Sequence, residues 1–463
     1  MATLRIGDES LTPAALAAAA REDAVSVELT TAARERMAAG RAAVDAVVAA
    51  GQPVYARTTG VGANYDVAIQ EKGRDHSLRL LRSHAAGVGE PLDAEVTRAT
   101  ILVRLNQMAA GGGGHRPEVA DALAALLRSG EFPELRDLGG LGTGDISVLA
   151  QLALALEDAD GGFAIGEGDA APFIGSNAAT LAVATLAWAD LRELLDAGLG
   201  VSAETFRALG GNSETFGAAA AAARPLPGLV AVANTLRMLT EGSGRHARLQ
   251  DPFALRCVPP VAGALHDALT GLHDVLAVEI GAGAENPLVA GGNVLHHCGF
   301  HGAPVALALD AVRLALVPFV QLSVARLAHL MDPRLTGLTP FLAAPTPGSS
   351  GLMIAEYVAA DALARLRAEA APAVLGTAVV SRGVEDHASF AWQSALQARR
   401  AVAHVRTAVA VEYVAAQRAL TMKAGSPAPE DRPLGDDFAD ATAALAAVAD
   451  RVRQASRSRG ACS

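Results

Sequence analysis

Along the chain the spacing of apolar positions changes several times, and each change marks an element. Residues 1–50 open on the short run TLRI and pass into alanine-rich segments of helical spacing, which predicts a short strand and then helices. Thr12 before Pro13 is a good helix start, because a hydroxyl can cap and proline fits the first turn. Between 52 and 76 the periodicity lapses, and TTGVGANYD reads as loop. Helical spacing resumes near Ser77 and runs to about 128, with a break at GGGGH (111–115). Residues 129–145 read as loop leading into a helix from about Gly144 to Ala155. The acidic, glycine-rich stretch 156–172 reads as a hairpin or surface excursion.

From 175 the helices lengthen. GAPVALALDAVRLALVPFVQLSVARLAHLMD predicts a long apolar helix with a kink at Pro318, and 388–420 predicts a longer one. Helices this apolar need more than one partner face, so they belong at the centre of a bundle shared between subunits. Residues 425–437 read as a linker before a last amphipathic helix with a basic tail. There is no internal repeat. The expected fold is mainly α. It divides into an N-terminal part over 1–175, a central helix-bundle domain over 176–424, and a linker with a C-terminal helix over 425–463.

Composition narrows the function. The chain has 463 residues, 51% hydrophobic but only 4% aromatic, and its abundant alanine favours helices. A net charge of −11 without long runs argues against general nucleic-acid binding. The three cysteines, Cys257, Cys298 and Cys462, have no paired spacing, which points away from a disulfide framework and towards a reducing cytoplasm. The N-terminus lacks a signal-type apolar core, and no run reaches about 18 uncharged apolar residues, so no membrane span is expected.

Polar groups set between glycine turns recur in eight stretches: VYARTTGVGANYD (54–66), RSHAAGVG (82–89), LGGLGTGDISVLAQ (139–152), IGSNAAT (174–180), LQDPFALRC (249–257), ENPL (285–288), GFHGAPVA (299–306) and VEDHASF (384–390). HHCGFH (296–301) adds His296, His297, Cys298 and His301 as metal-ligand types. The first three are consecutive, and neighbours rarely point at one centre, so no metal site is expected.

In order and wording these stretches resemble the aromatic amino acid ammonia-lyases, and within them the histidine ammonia-lyases, from about residue 10 to 425. The resemblance implies a helical fold, a homotetramer and pockets each built from three chains. In that family the turn matching 142–145 reads Ala-Ser-Gly-Asp and cyclises with loss of two waters to methylideneimidazolone, an electrophile. Here it reads Gly142-Thr143-Gly144, then Asp145. Gly142 removes only a methyl and should not block cyclisation. Thr143 would leave an extra methyl on the electrophilic carbon, crowding it. The favoured expectation is an uncyclised turn capping a helix, hence no cofactor. The alternative is a threonine-derived prosthetic group.

The resemblance also implies roles. Tyr55 matches the catalytic tyrosine on a glycine-rich loop; to take a proton it must sit near positive charge or helix N-termini. Arg256 matches the arginine that binds the substrate carboxylate, for which a forked guanidinium is suited. His84 matches the position facing the substrate ring and implies a ring with a hydrogen-bonding group. Gln250, Phe300 and Glu385 match further pocket positions.

Departures surround these matches. Ile174 replaces a pocket asparagine, Phe253 a second tyrosine, Gly299 an asparagine, Ala303 a glutamate and Val384 a glutamine. Each removes a polar group near the turn. Three functions remain open. One is a lyase-fold enzyme that moves protons through Tyr55 without methylideneimidazolone, in an elimination, addition or cyclisation. The second is a true ammonia-lyase or aminomutase with a threonine-derived group. The third is a non-catalytic binder of small acids, against which the retained Tyr55, His84, Arg256 and Glu385 count.

Overall fold

The computed structural model describes every residue except 1–2, 9–10, 71–72, 159–162, 244–247 and 461–463; Cys462 therefore lies outside the described residues. Its elements in order are β1 (Thr3–Ile6), α1 (Pro13–Ala20), β2 (Ser26–Leu29), α2 (Thr31–Ala49), α3 (Asp75–His84), α4 (Ala94–Ala109), α5 (Pro117–Ser129), α6 (Ile146–Asp158), α7 (Ala170–Ile174) and α8 (Ala178–Leu209). There follow α9 (Ala218–Ala222), α10 (Pro227–Leu239), α11 (Phe253–Arg256), α12 (Val258–Glu279), β3 (Leu288–Ala290), β4 (Asn293–Leu295), α13 (Ala303–Leu330), α14 (Pro333–Thr336), α15 (Met353–Glu369), α16 (Ala391–Lys423) and α17 (Gly435–Gly460). The fold is mainly α-helical, as the apolar spacing predicts.

The residues form two compact units, each from separate stretches of chain. The first comprises Met1–Ala189, Leu272–Leu309 and Pro372–Leu396; the second comprises Asp190–Gly271, Asp310–Ala371 and Gln397–Ser463. The sequential division at 175 and 424 does not anticipate this, because the boundaries fall inside α8, α12, α13 and α16.

In the first unit Thr12 caps α1 by accepting from the Ala15 amide at 3.1 Å, with Pro13 in the first turn. β1 pairs in parallel with β2, a strand the sequence reading does not separate from the helices around it. α4 is buried from Val96 to Ala109, and several of its polar side chains find partners inside the protein. Asn106, for example, accepts from Leu11 N at 3.3 Å and donates to the Ile280 carbonyl at 2.8 Å.

The stretch 156–172 departs from expectation: its described part contains no strand. Asp169 is buried, bonded by Arg116 Nε at 2.9 Å and by Arg41 at 3.0 Å, and α7 follows it. Two arginines thus hold Asp169, near the end of this stretch, inward. The observed hairpin lies elsewhere, where β3 and β4 pair antiparallel around Gly291 and Gly292.

In the second unit a buried carboxylate organises the helices. Glu412 of α16 accepts from Arg326 Nε at 2.6 Å, Thr205 at 2.8 Å and Ser323 at 2.7 Å. α13 runs unbroken across Pro318. By length and composition Ala170–Leu209 and Ala303–Leu330 could each cross a membrane; 83% of one apolar window and 50% of the other is buried inside the protein. The burial of most of the first window accounts for its apolar character as a core segment.

Candidate functional site

The 142–145 turn is assembled from three directions within the first unit. The Gly142 carbonyl accepts from Gly302 N at 2.9 Å and from Ser389 Oγ at 2.6 Å. Gly144 N donates to Asn177 Oδ1 at 2.9 Å, and the Asn177 amide also donates to the Phe300 carbonyl. Asp145 is buried; its N–H donates to the Ser176 carbonyl at 2.6 Å, and its carboxylate accepts from Thr180 N and Thr180 Oγ1, each at 2.7 Å. Burial pushes the Asp145 carboxyl up to about 6, against the Thr180 and Ala179 donors.

Gly142 is more than an alanine without its methyl. Its φ is +77°, and a Cβ there would lie 2.2 Å from Ser389 Oγ and 2.5 Å from the Ala391 nitrogen. The second neighbour is backbone, so an alanine could not be admitted by turning a side chain. The turn as built requires glycine at 142.

Beside the turn lies a cavity of about 890 Å³ whose lining comes wholly from the first unit. Tyr55, His84, Thr143, Ile174, Phe300 and Glu385 all line it. Gly142 and Gly144 are buried on either side of Thr143. Gln250, Phe253 and Arg256 belong to the second unit and are not among the lining residues. Phe253 is 67% exposed. The Arg256 guanidinium stacks over the Phe253 ring at 4.5 Å and has no carboxylate partner among the described residues.

Tyr55 is anchored at both ends. Its N–H donates to His296 Nε2 at 3.2 Å, and its Oη accepts from Gly62 N at 2.8 Å. Gly62 has φ +54°, and a Cβ on it would lie 2.4 Å from Ser381 Oγ and 2.9 Å from Glu385 Oε1, so glycine lets these groups close around the phenol. Burial pushes the Tyr55 hydroxyl up, and Glu385 adds to that against the Gly62 N–H. Among the described residues the cavity lining contains neither lysine nor arginine. Burial and Glu385 thus favour the protonated phenol within the single chain.

His84 ends α3 with Nδ1 2.8 Å from the Leu80 carbonyl and 3.0 Å from Ser83 Oγ. A carbonyl only accepts, so Nδ1 carries the proton and Nε2 of the neutral ring is an acceptor. The sequence reading does not place Asn64, Asn286, Ser381, Asp386 or His387 in the site, yet all line the cavity. His296 and Cys298, weighed only as metal ligands, line it too, as does His301 of the GFHGAPVA stretch. Cys257 and Cys298 are unpaired thiols. Behind the wall, buried Arg104 donates to Glu285 at 2.9 Å and to the Pro172 carbonyl at 3.0 Å, tying the segment of Asn286 to that of Ile174.

Comparison with known proteins covers nearly the whole chain. The family described as aromatic amino acid lyase matches residues 11–453. Histidine ammonia-lyase of Anaeromyxobacter sp. (strain K) is 35% identical, over 92% of this chain and 91% of the relative. Histidine ammonia-lyase of Streptomyces coelicolor is also 35% identical, over 93% and 90%. The crystal structure of histidine ammonia-lyase from Trypanosoma cruzi superposes with a TM-score of 0.88 at 25% identity, covering 98% of this chain and 96% of that one. In fold the chain is also similar to tyrosine aminomutase from Streptomyces globisporus, with a TM-score of 0.90, 24% identity and 98% of each chain covered.

Proposed function

Because the chain belongs to the aromatic amino acid lyase family, carbon–nitrogen lyases that act on small molecules, we propose that it works on a carboxylated, amino-acid-like substrate with a polar ring, by proton transfer through Tyr55 and without methylideneimidazolone. The reaction is an elimination, an addition or a cyclisation. The observation that carries this reading is a cavity that gathers Tyr55, His84 and Glu385 beside a turn whose middle residue is Thr143, where dehydration would leave an extra methyl on the electrophilic carbon.

Each residue has a role set by its surroundings. His84 Nε2 accepts from an N–H or O–H of the substrate ring, and Phe300 and Ile174 supply apolar wall. Glu385 orients the polar end of the substrate. Tyr55 Oη, held by the Gly62 N–H, is placed for proton transfer. The cavity's own carboxylates, Glu385 and Asp386, would repel a substrate carboxylate. Arg256 is the anchor for it, delivered from a neighbouring chain of a homotetramer in the cytoplasm.

Intact-protein mass spectrometry tests the central point. The expected mass is that of the full sequence. A deficit of two waters, with new near-ultraviolet absorbance, would overturn the reading. It would favour instead a threonine-derived group, for which one contact speaks: two donors on the Gly142 carbonyl polarise it towards attack. With the turn open, Thr143→Ala leaves turnover of L-histidine or L-tyrosine, whichever the wild type accepts, largely intact.

A further inference from the structure

His301 Nε2 lies 3.0 Å from His387 Nδ1, with ring centroids 5.1 Å apart, and both histidines line the cavity. Their positions follow from the turn. Gly302, next to His301, and Ser389, two residues after His387, are the two donors to the Gly142 carbonyl. The segments that grip the turn therefore bring the imidazoles together beside it.

Two neutral imidazoles joined by one N–H···N bond have a fixed polarity. Whichever ring donates, the pair carries one lone pair and one N–H at its outer nitrogens. A proton taken up at one end can be released at the other. His301 is half-buried and His387 is exposed in the single chain, so the pair runs from the inner cavity outward. Burial and the neighbouring His387 hold His301 below the usual histidine range, which favours its neutral form. Several other titratable groups line the same cavity. Tyr55 and Tyr65 come from the 53–65 loop and His84 from α3. His296 and Cys298 lie on the stretch leading to His301, and Glu385 and Asp386 on that leading to His387.

The geometry points to the His301–His387 pair as a second proton-transfer group of this site, acting as the base while Tyr55 acts as the acid. This rests on the proposed function, and it supplies what a phenol alone lacks. The substrate's C–H proton passes to the free imidazole lone pair. The C–H electron pair becomes the second bond of a C=C, the bond to the leaving group breaks with its own pair, and the Tyr55 hydroxyl proton goes to the leaving group. The imidazolium then returns its proton through water to the tyrosinate.

The test follows L-histidine and L-tyrosine in D₂O by proton NMR, reading C–H exchange and turnover separately. His301→Gln and His387→Asn each keep a polar group at the joined nitrogen but cannot carry a proton, so each is expected to lose exchange and turnover by about 10²–10⁴-fold. Tyr55→Phe is expected to lose turnover and keep exchange. In any residual activity of His387→Asn the acid limb of the pH profile moves up, since His301 no longer has a neighbour holding it down. Unchanged exchange in whichever histidine variant folds, or exchange lost in Tyr55→Phe instead, would overturn the pair as base and leave the proposed function standing. A wild type that neither exchanges nor turns over either amino acid would overturn both.

Discussion

Gly142 concentrates the difference between this chain and what its family resemblance implies. Its positive φ and the 2.5 Å approach of the Ala391 nitrogen to its missing Cβ leave no room for alanine. Gly142→Ala is therefore expected to destabilise the fold by about 1–3 kcal/mol, the usual cost of a strained backbone position, read by urea unfolding. An unchanged midpoint would show that the turn can adopt an alanine-compatible backbone. Tyr55→Phe removes only the hydroxyl that Gly62 N holds. It should lower kcat about 10²–10⁴-fold with modest change in binding; a variant at the parent rate would shift attention to Tyr65, which also lines the cavity. Much of this neighbourhood was legible in sequence, because glycine turns flanking single polar residues are local signals. The His301–His387 contact was not, since its partners lie 86 positions apart and only the closed fold joins them. Nor was the state of Tyr55, which depends on burial and on Glu385.

Among the elements, α6 and α8 meet through Asp145, the residue before α6, whose carboxylate accepts from Thr180 near the start of α8. Burial raises this carboxyl from 3.8 to about 6, so the folded state holds the proton more tightly than the unfolded chain does. The sign follows: relative stability is highest below 3.8 and declines as pH rises through about 6, where the folded protein must carry a buried charge. Asp145→Asn should flatten that decline, seen as a smaller fall in melting temperature between about pH 4 and pH 6.5. An equal fall in both proteins would place the titration elsewhere. The long helices were legible because sustained apolar spacing is strong evidence. β2, β3 and β4 were not: each is three or four residues long, too short to show a period. The inward hold on Asp169 depends on Arg41 and Arg116, distant from it in sequence.

At the scale of the whole molecule, the single chain leaves large apolar side chains in water: Leu249 is 84% exposed, Leu375 79%, Val278 69% and Tyr357 68%. Such surface is usually covered by association. Arg256, stacked on exposed Phe253 and without a carboxylate partner among the described residues, lies in the second unit, while the cavity draws its lining from the first. Both facts are met if neighbouring copies in a homotetramer exchange these segments, so that one chain's Arg256 serves another chain's Tyr55. Light scattering should then give a tetramer, and a monodisperse monomer would refute it. Complementation gives a sharper result. Tyr55→Phe and Arg256→Ala variants, each inactive alone, are unfolded together and refolded as mixed tetramers. If the two residues of a site come from different chains, about one quarter of the sites regain both wild-type groups, because each is supplied independently half the time. If both come from one chain, every site lacks one group and no activity returns. Recovery near a quarter of the parent rate is the expected outcome, and its absence from verified mixed tetramers would put Arg256 in the same chain's site.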